Sequence, residues 1–207
     1  MNFQARQLSR PWGLLGRWVL GPLWNRRNAA LNEAALAQLD LTPGLRVLEV
    51  GFGGGYLLDR IRQAGADCLY GVDHSPEMAQ FCARRFARRA GPPVNIVLAS
   101  VEGLPFPRMS FNRIVSVNSI FYWADAAQGI AELSRVLAPG GRIVLVFTHR
   151  DSLRKRSFVR QGVGLYRPDE IDAWLRVAGI RDVRVEQSND RHRAFWVMVG
   201  VQKAAFS

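Results

Sequence analysis

The stretch Val47–Ile61, VLEVGFGGGYLLDRI, passes from an apolar, strand-like segment through a cluster of glycines into an amphipathic segment. Gly51, Gly53 and Gly55 allow positive φ angles and leave room for a ligand to lie against the backbone. A helix that begins at this turn would direct unpaired N–H groups, and the positive end of its dipole, at that ligand. The stretch therefore predicts a strand, a ligand-binding turn and a helix in succession.

Apolar runs alternate with helix-period runs on both sides of this stretch. Continuous apolar runs are typical of strands buried on both faces, so the alternation predicts an α/β fold, a mostly parallel sheet with helices on both faces. Pro168 and Gly179 bracket one of the predicted helices. The predicted strands are Arg46–Val50, Cys68–Val72, Asn95–Ala99, Arg113–Val117, Arg142–Phe147, Val183–Gln187 and Phe195–Val201.

The length of 207 residues favours one folding unit with a short appendage. We predict that residues 1–40 form a helical lid or appendage and that residues 41–207 form the ligand-binding domain. The longest uncharged segment is far shorter than the roughly 20 apolar residues of a membrane-spanning helix, so no such helix is predicted. Cys68 and Cys82 lack metal-ligand spacing. We expect buried thiols, no metal site and a cytoplasmic location.

The net charge of +11 is typical of a protein that binds nucleic acid or an anionic membrane surface. Four of the basic residues, Arg84, Arg85, Arg88 and Arg89, share one helical face, and we interpret them as a solvated surface. A second basic group lies in the irregular segment Arg150–Arg167. This second group keeps a polyanionic partner open.

Asp73 ends the predicted second strand, 22 residues after Gly51, where a carboxylate can accept hydrogen bonds from both hydroxyls of a ribose. Nicotinamide dinucleotides and S-adenosylmethionine both contain a ribose. The dinucleotide fingerprint requires Gly or Ala where this chain has Tyr56. The Glu49 carboxylate would repel a pyrophosphate but attract an ammonium group. The residues therefore favour S-adenosylmethionine, which has an amino group and a sulfonium but no phosphate.

Four motifs together resemble those of one family. They are LEVGFGGG (Leu48–Gly55), GVDHSPEM (Gly71–Met78), SVEGLPFPRMSFNRIVSVNSIFYW (Ser100–Trp123) and ELSRVLAPGGRIVLV (Glu132–Val146). In them the chain resembles class I S-adenosylmethionine-dependent methyltransferases, in particular the small-molecule, quinone-biosynthesis-like group known as methyltransferase type 11. The resemblance covers roughly Leu31 to Lys203. It implies a Rossmann-like, seven-stranded sheet of order 3-2-1-4-5-7-6 with an antiparallel final strand, and S-adenosylhomocysteine as the product of the cofactor.

The same resemblance assigns a role to each matching position of the cofactor site. By this likeness the methionine end of the cofactor lies at Glu49, Gly51, Phe52, Gly53 and Gly55, and the ribose lies at Asp73. The adenine faces lie at His74 and Met78, and the adenine edge lies at Ser100, Val101 and Glu102. Asn118 and Tyr122 face the methyl group. Met78 is equally well explained as helix core. Ser100 and Asn112 stand where the family commonly has Asp. We therefore expect a weaker, uncharged adenine contact at Ser100, and a turn residue at Asn112.

The reaction that the resemblance implies is an in-line displacement at a sulfonium methyl group, for which positioning supplies much of the rate. His149, just past the fifth predicted strand, is the first candidate for a general base and Tyr122 the second, while a surface histidine at a strand end remains an open interpretation of His149. No Ser-His-Asp or HExxH pattern supports hydrolytic or metal chemistry.

Aromatic residues favour a small apolar or aromatic acceptor, bound beneath a lid formed by the N-terminal helix and Arg150–Arg167. They are Trp12, Trp18, Trp24, Phe121, Tyr122 and Trp123. The Asn-Pro-Pro-aromatic signature of enzymes that methylate nucleic-acid amino groups is absent. Three alternatives stay open: an RNA-directed methyltransferase, a non-catalytic nucleotide-binding module of the same fold, and peripheral membrane contact through the Trp-rich N-terminus.

Overall fold

A computed structural model describes residues 28–154 and 163–203. Its centre is a seven-stranded sheet of order β3-β2-β1-β4-β5-β7-β6. The pairs from β3 through β5 are parallel, and β7 runs antiparallel to both β5 and β6. The predicted strand order and antiparallel final strand are confirmed. The strands are β1 Arg46–Val50, β2 Cys68–Asp73, β3 Val94–Leu98, β4 Phe111–Val117, β5 Leu137–Thr148, β6 Ile180–Asn189 and β7 Ala194–Gln202.

Helices cover both faces of the sheet. Ser75 begins one of them by accepting a hydrogen bond from Met78 N, and Asp125 begins another by accepting from Gln128 N. The described helices are α1 Ala29–Gln38, α2 Tyr56–Gln63, α3 Pro76–Ala87, α4 Ala126–Val136, α5 Arg150–Arg154 and α6 Pro168–Val177. Helices α1, α2 and α3 pack on one face and α4 and α6 on the other, so each face of the sheet has its own buried apolar cluster.

Helix α1 packs on one face of the sheet, across β4, β5 and β7. Leu31, Ala35 and Leu39 are fully buried against the strands. At the end of the helix, Arg142 Nη1 donates to Gln38 O at 3.0 Å, and Arg113 Nε donates to Leu39 O at 2.6 Å. These bonds satisfy carbonyls that lack intrahelical partners. The described part of the predicted appendage therefore contributes to the core, whereas residues 1–27 lie outside the described residues.

Strand β5 begins earlier than the sequence indicates, at Leu137, although Pro139, Gly140 and Gly141 predict a break there. Its pairing with β4 shifts in register between Phe111 and Arg113, which accommodates the irregular start. Asn112 lies at this irregularity, inside β4, and its Oδ1 accepts from Arg46 N at 3.0 Å. The expectation of a turn residue at Asn112 was therefore wrong, because its side chain caps an unpaired backbone group of β1.

The interpretation of Arg84, Arg85, Arg88 and Arg89 as one solvated face was wrong for Arg85, which is only partly exposed. Arg85 Nη2 contacts Asp59 Oδ2 at 3.1 Å, and Arg89 Nη1 also contacts this oxygen. Asp59 is almost fully buried on α2. A buried carboxylate requires charged partners, and a sequence pattern taken along one helix cannot show a partner on another.

Candidate functional site

The glycine turn lies at the carboxyl end of β1 and leads directly into α2. Gly51, Gly53 and Gly55 have φ angles of 76°, 50° and 70°. Gly51 N donates to Val72 O at 2.7 Å, which holds the turn against the neighbouring strand β2. The left-handed backbone explains the three glycines, since a β-carbon disfavours these angles.

Gly51 is also required because Ser119 packs directly against it. A β-carbon at Gly51 would overlap the Ser119 side chain. Ser119 Oγ donates to Val50 O at 3.2 Å and accepts from Trp123 Nε1 at 3.0 Å. Ser119 thus fixes the turn after β1 to the loop after β4. The sequence analysis missed this residue, because nothing in its local pattern indicates a contact with Gly51.

Asp73 ends β2 beside the glycine turn, as the sequence predicts. Its Oδ2 accepts from Gly53 N at 2.9 Å and its Oδ1 from Ser75 N at 3.0 Å. Burial raises the pKa of Asp73, although these two backbone hydrogen bonds act in the opposite direction. The carboxylate is therefore held rigidly at the carboxyl edge of the sheet, where a ligand carried by the turn could reach it.

Glu49 points from β1 into the interior beneath the turn. The residue is 3% exposed, and its Oε2 atom has no hydrogen-bond partner among the described residues. Burial, together with the nearby Asp73 charge, raises the pKa of Glu49 to about 8. A buried carboxylate oxygen without a partner is costly unless a ligand supplies a donor. The ammonium group of S-adenosylmethionine is a donor of the required charge, so the residues present fit this cofactor.

The raised pKa predicts a pH dependence of stability. Because the folded-state pKa lies above the ordinary value of 4.5, the native protein holds the proton more tightly, and this stabilisation is lost as the pH rises from 4.5 through about 8. Glu49→Gln, which cannot ionise, should reduce the fall in the free energy of unfolding between about pH 5 and pH 8 by about 2 to 4 kcal/mol. Urea denaturation at both pH values measures it.

Glu33→Gln provides the control for this measurement. Glu33 lies in a half-exposed ion pair with Arg60, in which Arg60 Nε contacts Glu33 Oε1 at 2.9 Å. We expect the pH dependence of this variant to match that of the parent. An unchanged pH dependence in Glu49→Gln would contradict the assignment of a protonated, buried Glu49.

The predicted adenine residues lie around the carboxyl ends of β2 and β3. Met78 is buried on α3, whereas the His74 side chain is 39% exposed and its Nδ1 lies 3.6 Å from Asp73 Oδ1. Val101 is buried in a short 3₁₀ turn that Ser100 precedes. These positions are compatible with the expected adenine contacts, which stay predictions.

Glu102 has structural partners at both carboxylate oxygens. Its Oε2 accepts from Ser100 Oγ, and its Oε1 accepts from Ala124 N at 2.7 Å and from Asp125 N at 3.2 Å. Although burial acts to raise it, hydrogen bonds led by that of Ser100 lower the pKa of Glu102. The carboxylate therefore secures the loop before α4, in addition to any contact that it makes with a ligand.

Asn118 follows β4 with a φ of 53°, a left-handed angle that asparagine tolerates better than most residues. Its Oδ1 accepts from Thr148 N at 2.8 Å, and its Nδ2 donates to Asn28 Oδ1 at 3.1 Å. Arg193, which is buried and which the sequence analysis did not single out, donates from Nη2 to the same Asn28 oxygen at 2.7 Å. Asn118 thus lies in a polar network that joins β4, β5 and β7 to the start of α1.

The two candidate bases follow two neighbouring strands, Tyr122 after β4 and His149 after β5. Tyr122 belongs to a short 3₁₀ turn and packs against the apolar cluster beneath α4. His149 directly follows β5, and its Nδ1 accepts from Asp151 N at 3.2 Å. In the neutral ring this bond leaves the proton on Nε2. The Nδ1 lone pair, which a base would use, therefore already accepts a hydrogen bond. A catalytic role for either residue stays a prediction.

A cleft of about 520 Å³ opens beside His149, between the starts of α5 and α6 and the β6–β7 hairpin. Tyr166 and Trp196 give it aromatic walls, and the Trp196 ring lies 5.5 Å from the His149 ring. The basic residues of the cleft are accompanied by acids, since Arg167 Nε contacts Asp169 Oδ1 at 3.0 Å. The cleft has room for a small, flat molecule at the carboxyl end of β5.

Within the described residues, no group of His, Cys, Asp and Glu side chains could hold a metal ion. The same part of the chain contains no helix of the length and apolar character needed to cross a bilayer. Cys68 and Cys82 are free thiols, of which Cys82 is buried. The predicted tryptophan lid, and the centre of the second basic group, lie outside the described residues.

The strand order defines a Rossmann-like fold, in which Asp73 and the glycine turn lie together at the carboxyl edge of the sheet. Residues 48–145 match the family model described as a methyltransferase domain. The chain is 30% identical over 176 residues to the uncharacterized methyltransferase YdaC of Bacillus subtilis, covering 83% of this chain and 91% of YdaC. This chain therefore belongs to the S-adenosylmethionine-dependent methyltransferase family.

Two further comparisons bear on fold and substrate. The 2-methyl-6-phytyl-1,4-hydroquinone methyltransferase 1 of Oryza sativa is 32% identical over 146 residues, which are 70% of this chain but only 43% of the rice enzyme. The chain thus spans less than half of that relative. A structure of an S-adenosylmethionine-dependent methyltransferase from Aquifex aeolicus superposes with a TM-score of 0.70 at 20% identity, covering 96% of each chain.

Proposed function

We propose that this methyltransferase transfers the methyl group of S-adenosylmethionine to a small apolar or aromatic acceptor by in-line displacement. The observation that carries the proposal is the aromatic-walled cleft beside His149, at the carboxyl end of β5. His149, on the wall of the cleft, directly follows Thr148, whose Oγ1 donates to Oδ1 of Asn118, the position expected to face the methyl group, at 3.0 Å. An acceptor bound in this cleft would approach the donor from the β5 side.

The donor residues would act by positioning. The Glu49 carboxylate would accept hydrogen bonds from the donor ammonium group, and Asp73 would accept them from the ribose hydroxyls. The cofactor, when bound, supplies a methyl group on a positively charged sulfur. Asn118, fixed by Thr148 and Asn28, would form the wall beside that group. Because Asp73 and Asn118 are already held by protein hydrogen bonds, little reorganisation of these two side chains would accompany binding.

The pairing of arginines with acids favours a small acceptor over RNA. A protein that binds RNA through a basic surface needs arginines available to phosphates. At the two ends of the second basic group, Arg167 contacts Asp169, and Arg150 Nε lies 3.9 Å from Asp151 Oδ1. The likeness to the rice hydroquinone methyltransferase supports the same acceptor class.

The test is methyl transfer from isotope-labelled S-adenosylmethionine to a panel of simple hydroquinones and phenols, with tRNA and duplex DNA in parallel. We expect label in an aromatic small molecule. Trp196→Ala should lower kcat/KM for that acceptor by about tenfold, because it removes an aromatic wall, and should leave the Kd for S-adenosylhomocysteine unchanged. Trp174→Ala, which removes an α6 tryptophan that packs edge to face with Tyr166 and does not line the cleft, controls for loss of stability.

The other outcomes separate the alternatives. Label in tRNA would contradict the proposed acceptor class and would support the RNA-directed alternative. Binding of S-adenosylhomocysteine without transfer to any member of the panel would favour the non-catalytic module.

A further inference from the structure

The glycine turn is held from outside by helix α3. Arg85 Nη1 donates to Gly54 O at 2.6 Å, and Cys82 Sγ lies 3.4 Å from Gly53 O. Gly54 lies between Gly53 and Gly55, whose left-handed angles were described above. A turn made of glycines has little conformational preference of its own, so its shape depends on the groups that contact it. Arg85 contacts it at its centre with a charged donor.

Arg85 is itself held by Asp59. Its Nη2 contacts Asp59 Oδ2 at 3.1 Å, and Arg62 Nη2 contacts Asp59 Oδ1 at 3.2 Å. Arg89 contacts Asp59 Oδ2 as well. Burial acts to raise the pKa of Asp59, but the hydrogen bond from Arg89 and the charges of Arg89 and Arg85 outweigh it and lower that pKa. The Asp59 carboxylate therefore holds the Arg85 guanidinium in place.

We propose that Arg85 is a positioning residue for the methyl donor, because it holds the Gly54 peptide in the orientation that the donor site requires. The inference rests on the proposed donor site at this turn. The two terminal nitrogens of Arg85 have separate partners, Gly54 O and Asp59 Oδ2, and a planar guanidinium fixes their relative direction. Asp59 belongs to α2, the helix that the turn opens. Arg85 thus fixes the position of the glycine turn relative to α2, the helix that follows it.

Arg89 supplies a matched comparison. It contacts the same Asp59 oxygen from just beyond the end of α3, but among the described residues it makes no contact with the glycine turn. Loss of Arg89 should therefore remove an ion pair without releasing the turn. Loss of Arg85 should do both, so that the two variants separate an effect on stability from an effect on donor binding.

The experiment measures the Kd for S-adenosylhomocysteine by calorimetry and the Tm by thermal melting. We expect Arg85→Gln to raise this Kd by about tenfold, as for loss of a charge-assisted hydrogen bond that preorganises a site. Arg89→Gln should lower the Tm by a similar amount to Arg85→Gln and leave the Kd within about twofold of the parent. Arg85→Lys, which can reach one of the two partners but lacks the fork, should give an intermediate Kd.

Equal increases of Kd in Arg85→Gln and Arg89→Gln would overturn the inference, because the effect would then follow stability. An unchanged Kd in Arg85→Gln would overturn it as well. If Arg85→Gln does not fold, Arg85→Lys decides, and a parent-like Kd in that variant overturns the inference. A parent protein that does not bind S-adenosylhomocysteine would instead overturn the proposed donor site, and this inference with it.

Discussion

Replacing Asp73 with Ala should raise the Kd for S-adenosylhomocysteine about 100-fold, the largest effect on binding that we expect from a single substitution. Two losses combine. The proposed charge-assisted bonds to the ribose disappear, at a cost of about 2 to 3 kcal/mol. Gly53 N and Ser75 N also lose their acceptors, so the turn is no longer held at its correct distance from β2. Calorimetric titration of the folded variant measures the change.

Asp73→Asn is the matched control for this prediction. Its side-chain oxygen can still accept one of the two backbone hydrogen bonds, but it has no charge, so we expect a Kd between those of the parent and Asp73→Ala. A folded Asp73→Ala protein with a parent-like Kd would show that the ribose does not lie at the end of β2.

Replacing Gly51 with Ala should lower the free energy of unfolding by about 2 to 5 kcal/mol. The left-handed φ of 76° disfavours any β-carbon, which costs about 1 to 2 kcal/mol. The added methyl group would also overlap Ser119, and forcing an atom into a packed interior costs about 1 to 3 kcal/mol more. Urea denaturation with two-state analysis measures the loss.

Gly44→Ala separates the two contributions. Gly44 has a similar φ of 82°, but nothing lies within 4 Å of the position that its β-carbon would take. We expect this variant to lose only the conformational part. Ser119→Gly in the Gly51→Ala background should restore part of the lost stability, which a double-mutant cycle would show. Equal losses in Gly44→Ala and Gly51→Ala would contradict the overlap with Ser119.

The sheet could be predicted from the sequence because its signal is local. The predicted bounds of β1 match the observed ones, since Val47–Val50 is apolar except for Glu49. The position of Asp73 beside the glycine turn could also be predicted, because it depends on the spacing between two successive strands. Strand ends were less certain, as the early start of β5 illustrates, because there a register shift in the neighbouring strand overrides the turn signal of Pro139 and Gly140.

The residues that complete the site could not be predicted, because their roles depend on contacts between distant segments. Ser119 reaches the backbone of Val50 across 69 positions, and Arg193 reaches Asn28 across 165. A single sequence contains no signal for such pairs. The internal role of Arg85 could not be predicted for the same reason, since its helical spacing does not reveal its contact with Gly54.

Helix α1 also determines where this chain could exchange a module with its relatives. Recombination at residue 40 would divide the folding unit, since Leu31, Ala35 and Leu39 come before that position and fill one face of the sheet. A crossover just ahead of Asn28 would leave that face intact, and it would keep the asparagine that Asn118 and Arg193 share.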